Sequence, residues 1–161
     1  MNAQDLHSHI VQNNITAEII HLDVPTPTVA AAAAAVGVDP QQIIKSVLFL
    51  ADKKPVLALA NGLARIDRKV LADTVGVARR RTKIANPEQV LAHTGYVAGS
   101  VPPFGHVRPL WTIVDTAVIQ LTNPLIYGGG GETNALLKLT VTELLRVTGG
   151  KVAYLSEQTD Y

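Results

Sequence analysis

Ile43-Ile44-Lys45-Ser46-Val47-Leu48-Phe49-Leu50 is the stretch whose reading decides the fold. Eight residues rich in branched and aromatic side chains predict a strand. Lys53-Lys54-Pro55 turns the chain, and Val56–Ala60 returns as the partner of a hairpin. One residue is out of keeping. Strand geometry puts Lys45 on one face with Ile43, Val47 and Phe49. A lysine among such neighbours snorkels outward, sits in a wet cleft, or titrates below its ordinary range. In the cleft reading its ammonium is aimed at an anionic or carbonyl oxygen.

Upstream, Leu6, Ile10 and Val11 mark a helix over residues 5–13, and Ala17–Asp23 alternates as a short strand. Thr26-Pro27 has the form of an N-cap followed by a first-turn proline, opening a helix through Ala30–Ala35 that Gly37 stops. Asp39-Pro40 starts a short helical turn in the same way. Downstream, Asp67 caps a helix over Arg68–Val75, which Gly76 ends. Val77–Ile84 alternates as a strand, placing Arg79, Arg81 and Lys83 on one face. Asn86-Pro87-Glu88-Gln89 opens a helix to Thr94 with Gln89 at the capping-box position. Leu110–Val114 and Val118–Leu121 read as strands, and Leu125–Tyr127 leads into Gly128-Gly129-Gly130-Gly131. Leu136–Leu139 is a further strand, and Thr140-Val141-Thr142-Glu143 forms a second capping box for a helix to Val147, closed by Gly149-Gly150. Strands and helices interleave without strict βαβ repetition, and no repeat or linker divides the chain. The expectation is one mixed-sheet α/β (α+β) domain over residues 1–161.

Between these elements lies Val97-Ala98-Gly99-Ser100-Val101-Pro102-Pro103-Phe104-Gly105-His106. The paired prolines fix φ near −65° and push Val101 into the extended region. Gly99 and Gly105 supply corners where the backbone turns or is approached closely. The segment reads as a stiff loop, either a surface turn with Phe104 tucked into the core or a preorganised binding edge.

The 161 residues include no cysteine, which excludes thiolate catalysis and cysteine-ligated zinc. The five histidines show no metal-ligand spacing, so no metal is expected. No apolar run reaches the ~18 residues of a membrane span. The opening residues lack a charged and apolar leader pattern, so the cytoplasm is the expected compartment. The net charge of +1 hides an asymmetry. Residues 65–83 hold seven basic residues against Asp67 and Asp73, a local excess of +5 on an otherwise mildly acidic chain. Such a patch is either a solvated face or the seat of a polyanion. The four glycines lack the Gly-Lys-Ser/Thr of a phosphate loop and the last glycine of a dinucleotide fingerprint. Ser100 lacks the second glycine of a nucleophile elbow, which argues against a serine hydrolase, although a Ser100–His106 pair stays open. Aromatic residues at 4% are too thin for a base-stacking platform.

Roughly from Thr26 to Val152, the ordered set of these features resembles the YbaK/ProX family, stand-alone relatives of the editing domain inserted in bacterial prolyl-tRNA synthetases. The features are Ala34-Ala35-Val36-Gly37-Val38 followed by Ile43-Ile44-Lys45-Ser46, then Asp67, Leu71 and Gly76. Gly95-Tyr96, Gly99, Pro102-Pro103-Phe104-Gly105, Asp115 and the glycines before Leu137–Leu139 complete the set. The resemblance implies a partly barrel-like mixed-sheet domain surrounded by helices. It also implies trans-editing, the hydrolysis of an amino-acid ester from mischarged tRNA, with proline tRNA carrying a small amino acid as the candidate substrate. Lys45 then takes the catalytic role. Ser46, Gly99, Ser100, Val101, Pro102, Phe104, Gly105, Gly130 and Gly131 line the pocket for the aminoacyl end, and Arg79, Arg81 and Lys83 hold tRNA. No cofactor is implied. The partners are the tRNA acceptor end and, secondarily, an aminoacyl-tRNA synthetase. A positioned water or the terminal ribose hydroxyl would replace a protein nucleophile, which suits an already activated ester. The chain departs from the family pattern at Ser100, which replaces a loop glycine, and at Leu136, where members that edit cysteinyl-tRNA tend to carry an acid. Glu132-Thr133-Asn134 after the glycines is also unusual. A non-catalytic tRNA- or synthetase-binding module and a hydrolase of small esters are the alternative readings.

Overall fold

A computed structural model describes residues 1–157 of the chain. Its eight strands form two sheets. The larger is five-stranded and mixed, in the order β4-β2-β3-β5-β8, and the smaller has the order β1-β7-β6. In chain order the strands are β1 Glu18–His21, β2 Ile44–Ala51, β3 Lys54–Asn61, β4 Thr82–Ile84, β5 Trp111–Asp115, β6 Leu125–Gly129, β7 Ala135–Thr140 and β8 Lys151–Ala153. The helices are α1 Ala3–Gln12, α2 Val29–Val36, α3 Arg68–Val75, α4 Pro87–Thr94, α5 Thr116–Ile119 and α6 Val141–Thr148. The expected mixed α/β class is what the chain adopts. The two sheets meet at a bridge between Ile43 and Tyr127 and do not close into a barrel.

The hairpin at the centre follows the apolar pattern. β2 and β3 pair antiparallel from Ile44↔Asn61 to Ala51↔Lys54. Their turn is the two-residue loop Asp52-Lys53, both at positive φ (51° and 67°), one residue earlier than Lys53-Lys54-Pro55 suggests. Alternation then sorts the side chains. Leu57 and Leu59 face the main core with Leu48, Val114, Leu137 and Phe104. Val56 and Ala58 face the opposite side with Phe49, Ile113 and Leu71 of α3. Leu57 and Leu59 are fully buried, each contributing roughly 1.5–3 kcal/mol of transfer free energy. The alanine helix α2 packs Ala32 and Ala33 against Ile43, Tyr127 and Leu136.

Caps explain most helix ends. Asp67 caps α3, and Asn86 with Gln89 closes a full capping box on α4. Gly37, Gly76, Gly95 and Gly149 stop their helices in the left-handed region. Two caps differ from the sequence reading. The N-cap of α2 is Thr28, whose hydroxyl accepts from Ala31 N–H at 3.1 Å, so Thr26-Pro27 lies just outside the helix. At α6, Thr140 caps Glu143 N–H at 3.1 Å. The Glu143 carboxylate does not return to Thr140 but accepts from Thr16 N–H at 2.6 Å and pairs with Arg146. Those partners hold its pKa down to about 2.

Two strand expectations fail for identifiable reasons. Residues 79–81 form a 3-10 turn, and only Thr82–Ile84 is strand. β4 runs antiparallel to β2 and pairs Thr82 with Ala51, the last residue of β2 before its turn. Residues before Thr82 therefore have no strand to pair with. The Arg68 guanidinium holds the turn instead, donating to the carbonyls of Arg79 and Thr82. Val118–Leu121 is likewise not a strand. Thr116–Ile119 forms helix α5, with Val118 buried in the core.

Candidate active site

The site arises where the large sheet is incomplete. β4 covers β2 only at Phe49, Leu50 and Ala51, and one more bond joins Ala85 N–H to Leu48 O at 2.9 Å. At the other end, the Ile43–Tyr127 bridge ties β2 to β6. Between these two contacts, residues 44–47 of β2 have no strand on their outer edge. The segment 98–101 lies across this gap, and a cleft of ≈ 210 Å³ opens there. Its walls are β2 (Lys45, Ser46), the loop (Gly99, Val101), the start of β7, and the N-terminal turn of α2 (Thr28, Val29).

Lys45 is half-buried, and its Nζ donates to the carbonyl of Ala64. Burial lowers its pKa from the ordinary lysine value. Of the three sequence alternatives, the lysine sits in a cleft with a depressed pKa and does not snorkel free. Its acceptor is prepared by an Asx turn, in which Asn61 Oδ1 takes the N–H groups of Leu63 and Ala64, each at 3.0 Å. An ammonium has three donors. With one engaged by Ala64, two remain for a bound oxygen.

The Pro-Pro loop is anchored from behind. Ser100 Oγ donates to Val97 O at 2.7 Å, and Ser100 O accepts from Gly131 N–H at 3.0 Å. Tyr96 OH donates to Gly105 O at 3.2 Å. His106 Nε2 donates to Pro102 O at 2.7 Å. Because a carbonyl only accepts, that nitrogen carries the proton, and burial lowers the pKa of the ring. Ser100 and His106 thus spend these atoms on the loop and not on each other. Phe104 is buried in the main core, with its ring 6.0 Å from His9. Gly99 has φ +90° with open space where a Cβ would be, so conformation alone requires glycine there. At Gly129 the reason is packing, since a Cβ would stand 2.3 Å from Val101 O. That close approach seats the loop on β6.

Of the expected pocket residues, Lys45, Ser46, Gly99 and Val101 line the cleft. Ser100, Pro102, Phe104 and Gly105 are buried behind it and support the loop. Gly130 and Gly131 shape the β6–β7 turn, and the glycines at the wall are Gly128 and Gly129, both inside β6. The sequence reading missed Thr28, Val29 and Glu132. Thr28 is passed over because Thr26 reads as the cap, and Glu132 stands out only as a departure from the family pattern after the glycines.

The three basic residues do not share a strand face. Arg79 is bound bidentately by Asp73 at 3.1 and 2.7 Å, and Arg81 pairs with Asp52 at 3.3 Å. Arg81, Lys83, Arg80 and Lys53 nevertheless line one groove around exposed Ile84, while Arg79 lies outside it. A second, smaller hollow over Ser46, Ile84, Ala98 and Gly99 shares residues with both the groove and the cleft. The hollow shares Ser46, Gly99 and Val101 with the cleft and Ile84 with the groove, so the three follow one another as a trough along β2, from its open edge to the part that β4 covers. Among the described residues, no three His, Asp or Glu side chains gather as metal ligands, and no helix is long and apolar enough to cross a membrane.

Comparison with known proteins accords with this geometry. A family model for the aminoacyl-tRNA editing domain matches residues 23–147. A solved structure proposed to be a trans-editing enzyme for prolyl-tRNA synthetase is 34% identical with a TM-score of 0.88, covering 97% of each chain. The uncharacterized protein YwhH of Bacillus subtilis is 28% identical over 153 residues, 94% of either chain. The proline–tRNA ligase of Nitratidesulfovibrio vulgaris (strain DP4) is 36% identical over 86 residues, which is 52% of this chain and 15% of the ligase.

Proposed function

We propose that this chain, which belongs to the aminoacyl-tRNA editing domain family, is a trans-acting deacylase that hydrolyses the ester of a mischarged tRNA. The observation that carries the reading is Lys45. It is a half-buried ammonium held by Ala64 at the wall of a cleft, opposite a rigid loop and at the end of a basic trough. The aminoacyl ester lies in the cleft with its carbonyl oxygen toward the free donors of Lys45. The oxygen of a water, or of the neighbouring ribose hydroxyl, adds to the carbonyl carbon, and negative charge collects on the former carbonyl oxygen. Lys45 stabilises that charge, where a donor fixed in advance is worth most. The bond from carbon to the ribose oxygen then breaks, and the ribose oxygen takes the proton that the attacking oxygen gives up. With water as the nucleophile the amino acid leaves directly as its carboxylate; after attack by the ribose hydroxyl a water completes the release. No protein nucleophile is required, in keeping with Ser100 and His106 being engaged in loop contacts.

The trough gives the tRNA its place. The acceptor end runs along β2, its phosphates near Arg80, Arg81 and Lys83 and its terminal adenosine at the cleft. Similarity to a proposed partner enzyme of prolyl-tRNA synthetase and to proline–tRNA ligases makes proline tRNA the substrate of choice. The small cleft, of ≈ 210 Å³, suits a small amino acid. The test is a panel of alanyl-, cysteinyl- and seryl-esters on proline tRNA. Release of one amino acid with enzyme far below substrate supports the reading. Tight binding without turnover would make the chain a binding module, and cleavage indifferent to tRNA would make it a small-ester hydrolase.

A further inference from the structure

The cleft carries charge of both signs. Among its lining residues Lys45 is the one basic side chain and Glu132 the one acidic side chain. They come from different sheets, Lys45 from β2 and Glu132 from the turn between β6 and β7. That turn is fixed from several directions. Glu132 O accepts from Ala135 N–H at 3.2 Å, Thr133 O accepts from Thr26 N–H at 3.1 Å, and Asn134 O accepts from Leu22 N–H at 2.7 Å. Gly131 is locked to Ser100 in the loop. Glu132 is only half-buried, and among the described residues its carboxylate makes no ion pair. A carboxylate on an anchored turn at the wall of a reaction cleft, with no cation of its own, is arranged to receive one.

An aminoacyl ester brings that cation. It has an α-ammonium one carbon from the carbonyl at which negative charge develops. We infer that Glu132 is a specificity-determining residue that receives the α-ammonium of the substrate while Lys45 serves the carbonyl side, so that the cleft accepts aminoacyl esters and rejects N-acylated ones. The inference rests on the deacylase reading above. An N-acyl group removes the charge that Glu132 would hold, so the half-buried carboxylate stays solvated and contributes nothing to that ester. Chains ending in formylated or peptidyl residues would thereby be spared.

The experiment compares alanyl-tRNA and N-acetyl-alanyl-tRNA, both on proline tRNA, with the wild-type protein, Glu132→Gln and Glu132→Lys. A charge-assisted bond of this kind predicts a preference for the free amine of about 10- to 100-fold in kcat/KM. Glu132→Gln should lose that factor on the alanyl ester alone, and Glu132→Lys should lose more. Both should cleave the N-acetyl ester as the wild type does. A Glu132→Gln protein that retains the wild-type ratio overturns the inference. If the wild type cleaves neither ester, the deacylase reading fails, and binding of amide-linked alanyl-adenosine decides the role of Glu132. Weaker binding by about tenfold in Glu132→Gln, with the N-acetyl amide bound equally by both proteins, supports it. Equal binding of both amides by both proteins refutes it.

Discussion

Replacing Lys45 by alanine is the most direct probe of the proposed chemistry. The substitution removes the donor at the cleft wall and leaves the Ala64 carbonyl without its ammonium partner. The two consequences differ in size. Loss of a preorganised donor to a developing oxyanion costs about 10²–10³ in kcat, or roughly 3–4 kcal/mol of barrier. Loss of one hydrogen bond costs about 0.5–1.5 kcal/mol of stability, and Ala64 is only half-buried, so water takes the place of the lysine. For a chain of this length that is a drop of only a few degrees in Tm, about 2–4 °C per kcal/mol. Activity should therefore collapse while the melting curve barely moves. Lys45→Met provides the control that keeps the stem and deletes the charge, and it should lose as much activity as the alanine variant. Single-turnover deacylation with saturating enzyme isolates the chemical step from tRNA binding. Either variant cleaving within about fivefold of wild type would refute the argument, since a spectator lysine at the cleft wall behaves in that way.

The depressed pKa of Lys45 sets a direction with pH. Its charged form is the active one, so the rate should fall as pH rises through a midpoint below the ordinary 10.5, and in Lys45→Arg that limb should leave the accessible range; a limb that stays in place belongs to another group. In the basic trough, Arg80→Ala with Lys83→Ala should raise KM and flatten the slope of log K against log salt by about 1.4–1.8, with kcat nearly unchanged. Arg79→Ala should leave that slope alone, because Asp73 already holds its guanidinium. Cleavage of a short aminoacyl-adenosine ester, which has no phosphates to lose, should be equal in all three proteins.

Local chemistry carried much of the fold into the sequence. Asp67, Asn86 with Gln89, and the stop glycines are decided by backbone groups within one helical turn, so their residue types announce them. β2 is equally legible because burial on both faces leaves an unbroken apolar run, and the same run makes Lys45 conspicuous. The Arg79–Arg81 segment shows the opposite case. Its alternation is that of a strand, but whether a strand forms depends on a partner, and β2 ends at Ala51. Val118–Leu121 has strand-forming residues, and helix α5 wins there because Val118 gains the main core in that geometry. The end of the glycine run belongs to a strand for a reason no local reading can contain. Gly129 stands inside β6 because the loop backbone at Val101 occupies the space a side chain would need.

The cleft extends the same logic. Each of its walls is ordinary by itself: a hairpin, a capped helix, a stiff loop, a glycine turn. It becomes a site because β4 stops short and the chain leaves at Asn86 to begin α4, exposing the edge of β2 beside Lys45 and Ser46. Continuing β4 through residues 85–89 in the same register would cover residues 44–48 of β2 and close that edge. The short strand β4 is therefore coupled to Lys45 through the sheet itself. The two ends of β4 have separate causes: the turn of β2 denies residues 79–81 a partner, and the departure of the chain at Asn86 leaves residues 44–47 of β2 uncovered, while Arg80, Arg81 and Lys83 line the groove. Sequence reading can find the lysine and the cations separately. What joins them is the length of one strand, fixed at its start by the turn of β2 and at its end by the cap of α4 at Asn86.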